Sequence, residues 1–444
     1  MRAVFLRAAG LLAVIVLGSG CASGTAGQSP VRPATDGPTT VRVPRDAPTI
    51  QAAVDAAREG DLVLVSPGTY RETVQVRRAN LVLRGTERNA VIIDGEVRRA
   101  NGIVVTAPGV AVENLTVRNH TLNGVLITGM SDTAGGVARG STGYRRLDTS
   151  VFPPLKGFRV SYLTASNNAL YGIYAFDAQH GIIENNYASG SADSGIYVGQ
   201  CKPCHIVVRD NVAERNAVGY EGANASTGMY VLRNRFVANR VGLTSNSDYQ
   251  EALVPQEDAV IMGNLIGNNA EPASPAQADG GFGLGVGIAG GSRNLVSRNR
   301  IVGHPAAGVV LASSEDLPPN GNRIEGNVLS ANGIDLVYAA SARAPGAGNC
   351  LRDNRIGLTL PARLDTLMAC PQPETARPGV PVPRLPAPRG ISFRAVAQPP
   401  HLPDLPSAAT APGVPAGAEL PPVDLDRISV PETAFLADCS GVRL

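Results

Sequence analysis

Asn211-Val212-Ala213-Glu214-Arg215-Asn216-Ala217-Val218-Gly219-Tyr220-Glu221-Gly222 is one copy of a phrase that recurs along the middle of this chain. An Asn opens it, an apolar stretch follows, a second Asn or small polar residue comes next, and Gly leads into another apolar strand. Further copies run from Asn186 to Gly195-Ile196, Asn234 to Gly242-Leu243, Asn299 to Gly308-Val309 and Asn327 to Gly333-Ile334. Repeats of roughly 20–50 residues signal solenoids, propellers or arrays. Each unit is too short and too strand-like to bury its own core, so the units must stack on one another. The expected fold class is all-β, a solenoid with a flank of parallel strands.

Counting from each Gly assigns the faces. The next residue is Val125, Ile173, Ile196, Tyr220, Leu243, Val286, Val309 or Ile334, and the third is Ile127, Ala175, Val198, Gly222, Ser245, Ile288, Leu311 or Leu336. Strand side chains alternate between faces, so these two columns point inward. The column between them points outward: Leu126, Tyr174, Tyr197, Glu221, Thr244, Gly287, Val310 and Asp335. With coils about 4.8 Å apart, Tyr174, Tyr197, Glu221 and Thr244 form a continuous exposed row. The leading Asn residues read as architecture, because stacked Asn side chains hydrogen-bond from coil to coil and tolerate left-handed turn backbone.

The organisation follows from composition shifts. Residues 1–21 carry Arg2 and Arg7, an apolar run from Leu11 to Leu17 and then Gly18-Ser19-Gly20-Cys21, the parts of a secretory signal with a lipobox-like end. Lipidation at Cys21 would anchor the protein on the outer face of a membrane; plain secretion is the alternative. Residues 22–40 are a flexible tether. Thr49-Ile50-Gln51 opens a short capping helix that runs through Arg58 and stops at Gly60, with Thr49 as its N-cap. Asp61–Val65 reads as a strand and Ser66–Tyr70 as a turn. The β-helix proper spans 41–370, interrupted by long loops at 129–157, 246–258 and 268–283. Residues 371–444 form a Pro-rich extended tail, which either lies along the solenoid or moves freely.

A net charge of +2 excludes a nucleic-acid footprint. Almost every cation is Arg, with Lys156 and Lys202 the only lysines. Aromatic residues make up 4 % of the chain, which fits a slim aliphatic core around tight turns. Export permits disulfides. Cys350 and Cys370 are placed to close the last coil, and Cys439 is left without an assigned partner. Cys201-Lys202-Pro203-Cys204 reads as a structural turn disulfide, with a free thiol pair or redox or metal chemistry as the alternatives.

The repeat phrase, the opening Thr49-Ile50-Gln51-Ala52-Ala53-Val54 helix and the Pro67-Gly68-Thr69-Tyr70 turn together resemble the pectin lyase-like right-handed parallel β-helix superfamily. The stretches Tyr171–Tyr174, Ser194–Gln200 and Gly219–Glu221 resemble its bacterial β-helix repeat branch. The resemblance implies a right-handed parallel β-helix and a carbohydrate as partner. It implies no required cofactor, although lyases of this fold hold Ca2+ on an acidic cluster; no such cluster is evident on the outward column.

The candidate site is the outward row and its following turns. Glu221, Asp177 and Arg159 are the catalytic candidates, with Glu221 as general acid or base and Arg159 beside a uronate. Tyr174, Tyr197, Gln200, Asn224 and Asn246 are the ligand-binding candidates, because rings stack on sugar faces and amides bind hydroxyls. Arg145, Arg146 and Lys156 are further cations near the same loop. His120 and His180 read as hydrogen-bonded surface residues. Two functions follow: a cell-envelope polysaccharide lyase or epimerase acting on an acidic glycan by proton abstraction, or a non-catalytic glycan-binding rod. The oligomeric state is left open.

Overall fold

The computed structural model describes residues 37–131, 148–276, 281–371, 375–417, 419–420 and 422–432. Cys21, Arg145, Arg146, Cys439 and the N-terminal signal lie outside these residues. From Pro38 onward the described residues form one compact unit. Among the described residues it is a right-handed parallel β-helix of three sheets with twelve, eleven and ten strands. Each coil contributes one strand to each sheet, so strand neighbours are coil neighbours. Ile173 pairs with Ile196, Ile196 with Tyr220, and Tyr220 with Leu243.

Alternation places the core as the repeat requires. Ile173, Ala175, Ile196, Val198, Tyr220, Leu243, Val286 and Ile288 all belong to one continuous buried cluster. The Gly before each strand has a steric reason. A Cβ on Gly219 would lie 2.6 Å from Gly242 O, and one on Gly242 would lie 2.5 Å from Gly285 O. Consecutive coils touch backbone to backbone at this point, and only Gly leaves room.

The Asn phrase forms two hydrogen-bonded ladders. In the first, Asn186, Asn211, Asn234, Asn264, Asn299, Asn327 and Asn354 run coil to coil. Each Nδ2 also donates to a backbone carbonyl of the preceding coil, as Asn234 does to Val208 at 2.9 Å. The second Asn of the phrase builds a parallel ladder, Asn216–Asn239–Asn269–His304–Asn332. Ser191 N donates to Asn216 Oδ1 at the start of this ladder, and nearer the N-terminus Asn168 Oδ1 accepts from His120 N in a separate pair. His120 is therefore buried in a turn and not at the surface. Burial lowers its pKa to about 4, and that of His304 to about 4.

Three details differ from the sequence reading. The capping helix is Ile50–Ala56, with Thr49 capping Ala52 N, and it stops at an extended Ala57 before Gly60. The Asp61 carboxylate binds Arg58 N and Thr39 N, which pulls the chain out of the helix early. Gly68–Tyr70 is a strand, the first of the ten-stranded sheet, paired with Val91–Ile93. In the last coil Leu336, Val337 and Tyr338 pair with Val309, Val310 and Leu311, two residues beyond the expected register. Asp335 is spent in the turn, bonding Asn332 Nδ2 and Gly357 N.

Of the two alternatives for the tail, the structure shows the first: its described residues pack back on the β-helix. Asn167 Nδ2 donates to Phe393 O and Val396 O, Asn89 Nδ2 to Leu402 O, and Leu405 N to Asn114 Oδ1. Arginines do most of the holding: Arg84 donates to Ala411 O, Arg88 to Pro403 O, Arg240 to Pro388 O, and Arg298 to Leu425 O and Ile428 O. A Pro-rich segment offers carbonyl acceptors but few N–H donors. The donors must come from the β-helix, and a guanidinium supplies five on one side chain. Disulfides join Cys201 to Cys204 and Cys350 to Cys370.

Candidate functional site

The eleven-stranded sheet carries the outward column, in the register Leu126–Tyr174–Tyr197–Glu221–Thr244–Gly287–Val310–Val337. The column faces outward but is not uniformly exposed. Tyr174, Glu221 and Thr244 are half-buried, and Tyr197 is only 4 % exposed. Neighbouring rings cover Tyr197: Tyr171 lies 4.7 Å away and Tyr174 5.0 Å away edge-on, with Phe176 5.3 Å from Tyr174. The loop 246–258 closes the rest by bringing Glu251 Oε1 to the Tyr197 hydroxyl.

A groove of about 820 Å³ opens here, lined by Tyr171, Tyr174, Tyr197, Asn246 and four acids, Asp193, Glu221, Asp248 and Glu251. The outward column itself carries no acidic cluster, as the sequence reading had it; the grouping is completed from outside the column. Only Glu221 lies on the outward column; Asp193 precedes a strand, and Asp248 and Glu251 come from a loop. Ser194 Oγ donates to Glu221 Oε2 at 2.6 Å. Burial raises the Glu221 carboxyl to about 7, reinforced by nearby Asp193. Burial likewise raises Glu251 to about 8, against the Tyr197 hydroxyl bond that lowers it. Asp193 is raised by burial as well. Glu251 Oε2 and Thr244 Oγ1 are buried polar atoms with no hydrogen-bond partner among the described residues.

The described lining of this groove contains no Lys or Arg. Arg159 is on the twelve-stranded sheet, where it binds Glu113 Oε1 at 2.6 Å and Val414 O. Lys156 is exposed on the same strand as Arg159, and His180 stacks on His205 on that sheet. Asp177 sits just past the strand Ile173–Phe176, outside the groove lining, and burial raises it to about 6 against a bond from Gln200.

Gln200 and Asn224 do not line the groove; they hold the loop that does. Gln200 Oε1 accepts from Ala252 N, and Asn224 Nδ2 donates to Asp248 O and Ala252 O. These bonds place Glu251 over Tyr197. Of the sequence candidates, Tyr174, Tyr197, Glu221 and Asn246 come together in the groove. Tyr171, Asp193, Asp248 and Glu251 were missed. Tyr171 and Asp193 were within reach, since both lie immediately before a strand bearing a candidate Tyr.

Among the described residues no three His, Cys, Asp or Glu side chains are arranged to hold a metal ion. Glu221 and Glu251 each give one oxygen to a hydroxyl.

The fold and site define a right-handed parallel β-helix with a carboxyl-lined groove. The sequence matches the family described as right handed beta helix region over residues 88–252 and 149–329, more than half of the chain, and the chain belongs to that family. Its likeness to the pectin lyase-like superfamily holds at the level of fold. Similar solved structures include the A-module of the Azotobacter vinelandii mannuronan C-5 epimerase AlgE4, at 17 % identity over 70 % of this chain and 91 % of that one, TM-score 0.46. The pectate lyase Pel9A is similar at 14 % identity over 69 % of this chain and 71 % of that one, TM-score 0.35. XylC in complex with xylose is similar at 10 % identity over 69 % and 83 %, TM-score 0.42. These are likenesses of fold. No curated protein matches the chain.

Proposed function

We propose that this protein is an exported carbohydrate-active β-helix whose groove binds a neutral or amino saccharide, with Glu221 and Glu251 as an acid–base pair. The observation that carries this reading is the lining itself: three tyrosines and four carboxyls, with no described cation among them. Tyrosine faces and edges take sugar rings, and carboxyls take hydroxyls. A uronate would bring a negative charge among these carboxyls, and the described lining offers no cation to pair with it. On the described lining, a neutral or amino saccharide fits the groove better than an acidic glycan.

A carboxyl near pKa 7 exchanges a proton at neutral pH, as a general acid or base must. Glu221 at about 7 and Glu251 at about 8 both meet that condition. The reaction class they suit is hydrolysis of a glycosidic bond, in which one carboxyl protonates the leaving oxygen and the other acts on the opposite side. The second reading, a glycan-binding protein without turnover, draws on the bonds Glu221 and Glu251 already make to Ser194 and Tyr197. Carboxyls held this way also serve as fixed ligands for hydroxyls.

A glycan array probed with the mature protein is expected to retain neutral or amino saccharides. Retention of polyuronates alone would return the reading to acidic glycans, and an empty array would remove carbohydrate altogether. With a bound glycan in hand, Glu221→Gln and Glu251→Gln separate the two readings. Turnover falling about 10²- to 10⁴-fold with binding kept supports the acid–base pair; no turnover in the native protein supports the binding role.

A further inference from the structure

The outward column changes character along its length. Tyr174, Glu221, Thr244 and Gly287 are half-buried, whereas Val310 and Val337, next in register, are 4 % and 0 % exposed. The tail covers them. Gly379 N donates to Ala340 O at 2.7 Å and Val380 N to Tyr338 O at 3.0 Å, which stitches the tail onto the end of the last long strand of this sheet. Val382 then packs with Ala307, Val310 and Val337. Pro383, Arg384, Leu385 and Ala387 line an apolar compartment of about 620 Å³ that shares Thr244, Asn246 and Leu284 with the acidic groove. Arg240 holds Pro388 O at 2.6 Å, and Ile391 N holds Ser274 O at 3.1 Å, on the far side.

The stretch of the column that the tail leaves uncovered therefore runs from Tyr174 to Gly287, with Tyr197 lying under Glu251 and the neighbouring rings, roughly 19 Å at a strand spacing of about 4.8 Å. We infer that the Pro-rich tail is an end wall of this groove, so that the groove takes chain ends and short saccharides and turns away the interior of a long polymer. The inference rests on the saccharide reading above. The wall is suited to the task because a Pro-rich segment is extended and semi-rigid before any ligand arrives. A chain lying along the sheet past Glu221 meets Val382–Ala387 at the strand that carries Val310. A saccharide that terminates there fits, and one that continues must displace the tail from its hydrogen bonds.

Xylotriose against soluble arabinoxylan, cellotriose against hydroxyethyl cellulose and chitotriose against glycol chitin, each pair compared by titration calorimetry, test this. For the sugar that binds, the native protein is expected to bind the polymer at least tenfold less well per sugar unit than the trimer. Replacing residues 383–387 by Gly and Ser is expected to bring polymer and trimer within twofold. If that variant fails to fold, Arg384→Gly with Leu385→Gly makes the same opening by removing two exposed side chains. Equal binding of polymer and trimer per unit by the native protein overturns the wall. So does discrimination that survives in the opened variants. If no trimer or polymer binds, the saccharide reading itself falls, an outcome distinct from equal binding.

Discussion

Two outward faces of the same β-helix treat carboxylates in opposite ways. On the twelve-stranded sheet and its flanking turns, carboxylates are matched by arginines. Glu113 takes Arg84 at 2.8 Å and Arg159 at 2.6 Å, Glu184 takes Arg209, Asp210 takes Arg233, and Glu325 takes Arg323 and Arg352. On the eleven-stranded sheet, Asp193, Glu221, Asp248 and Glu251 line a groove without a described cation. The first arrangement is what a solenoid needs to cover its surface and hold a tail. The second is costly to fold, because burial disfavours the charged form and no cation of the described lining offsets it, leaving the hydroxyls of Ser194 and Tyr197 as partners. Unmatched carboxyls in a concave, ring-lined groove are the better marker of function.

The contrast can be broken or sharpened by mutation. The scale for a purely architectural residue comes from the ladder. Asn234→Ala removes the acceptor of Asn211 N and of one Asn211 Nδ2 hydrogen, and the donor to Val208 O and Asn264 Oδ1, all in the interior. It is expected to destabilise by about 4 kcal/mol, measured by denaturant unfolding. On the matched face, Glu113→Ala strands the buried Arg84 guanidinium and releases Arg159, and is expected to cost about 3 kcal/mol. The groove should behave in the opposite sense. Glu251→Gln is expected to raise stability at pH 8 by about 1 kcal/mol, a value discounted for the open groove. A loss as large as that of Glu113→Ala would erase the distinction between the faces.

The smallest effect is the pH profile. Glu221 and Glu251 have folded pKa values raised above that of a free carboxyl, so the folded state binds more protons and stability falls as pH rises toward 8. His120 and His304 work in the other direction below pH 6.5, because their folded pKa values are lowered and acid charges them in the unfolded chain first. The clean window is therefore pH 6.5–8, where the melting temperature is expected to fall by a few degrees. The double variant Glu221→Gln, Glu251→Gln should flatten that slope. An unchanged slope would mean that these carboxyls are not buried in solution.

Legibility differed between architecture and site for a physical reason. The Asn and Gly columns are read directly from the chain, because each obeys a local demand repeated in every coil: a turn to be bonded, a backbone contact to be cleared. Tyr174, Tyr197 and Glu221 fell on one face by strand alternation alone. Glu251 did not, because it sits in a loop whose fold depends on Gln200 and Asn224 from two other coils. Those two amides were read as ligand-binding for the same reason: position along the strand was visible, direction of the loop above it was not. Arg159 was drawn to the site by its nearness in sequence to the 129–157 loop, whereas pairing with Val110–Glu113 puts it on another sheet.

By itself the amino-acid order determined the winding, the core columns, the ladders and the face on which a groove could form, since all of these follow from side-chain period and turn chemistry within one coil. Only the tertiary structure decided which carboxyls share the groove, how far burial shifts their protons, and where the tail ends the open face. Those depend on loops and on a Pro-rich segment that crosses many coils, and no periodic signal encodes where such a segment comes to rest.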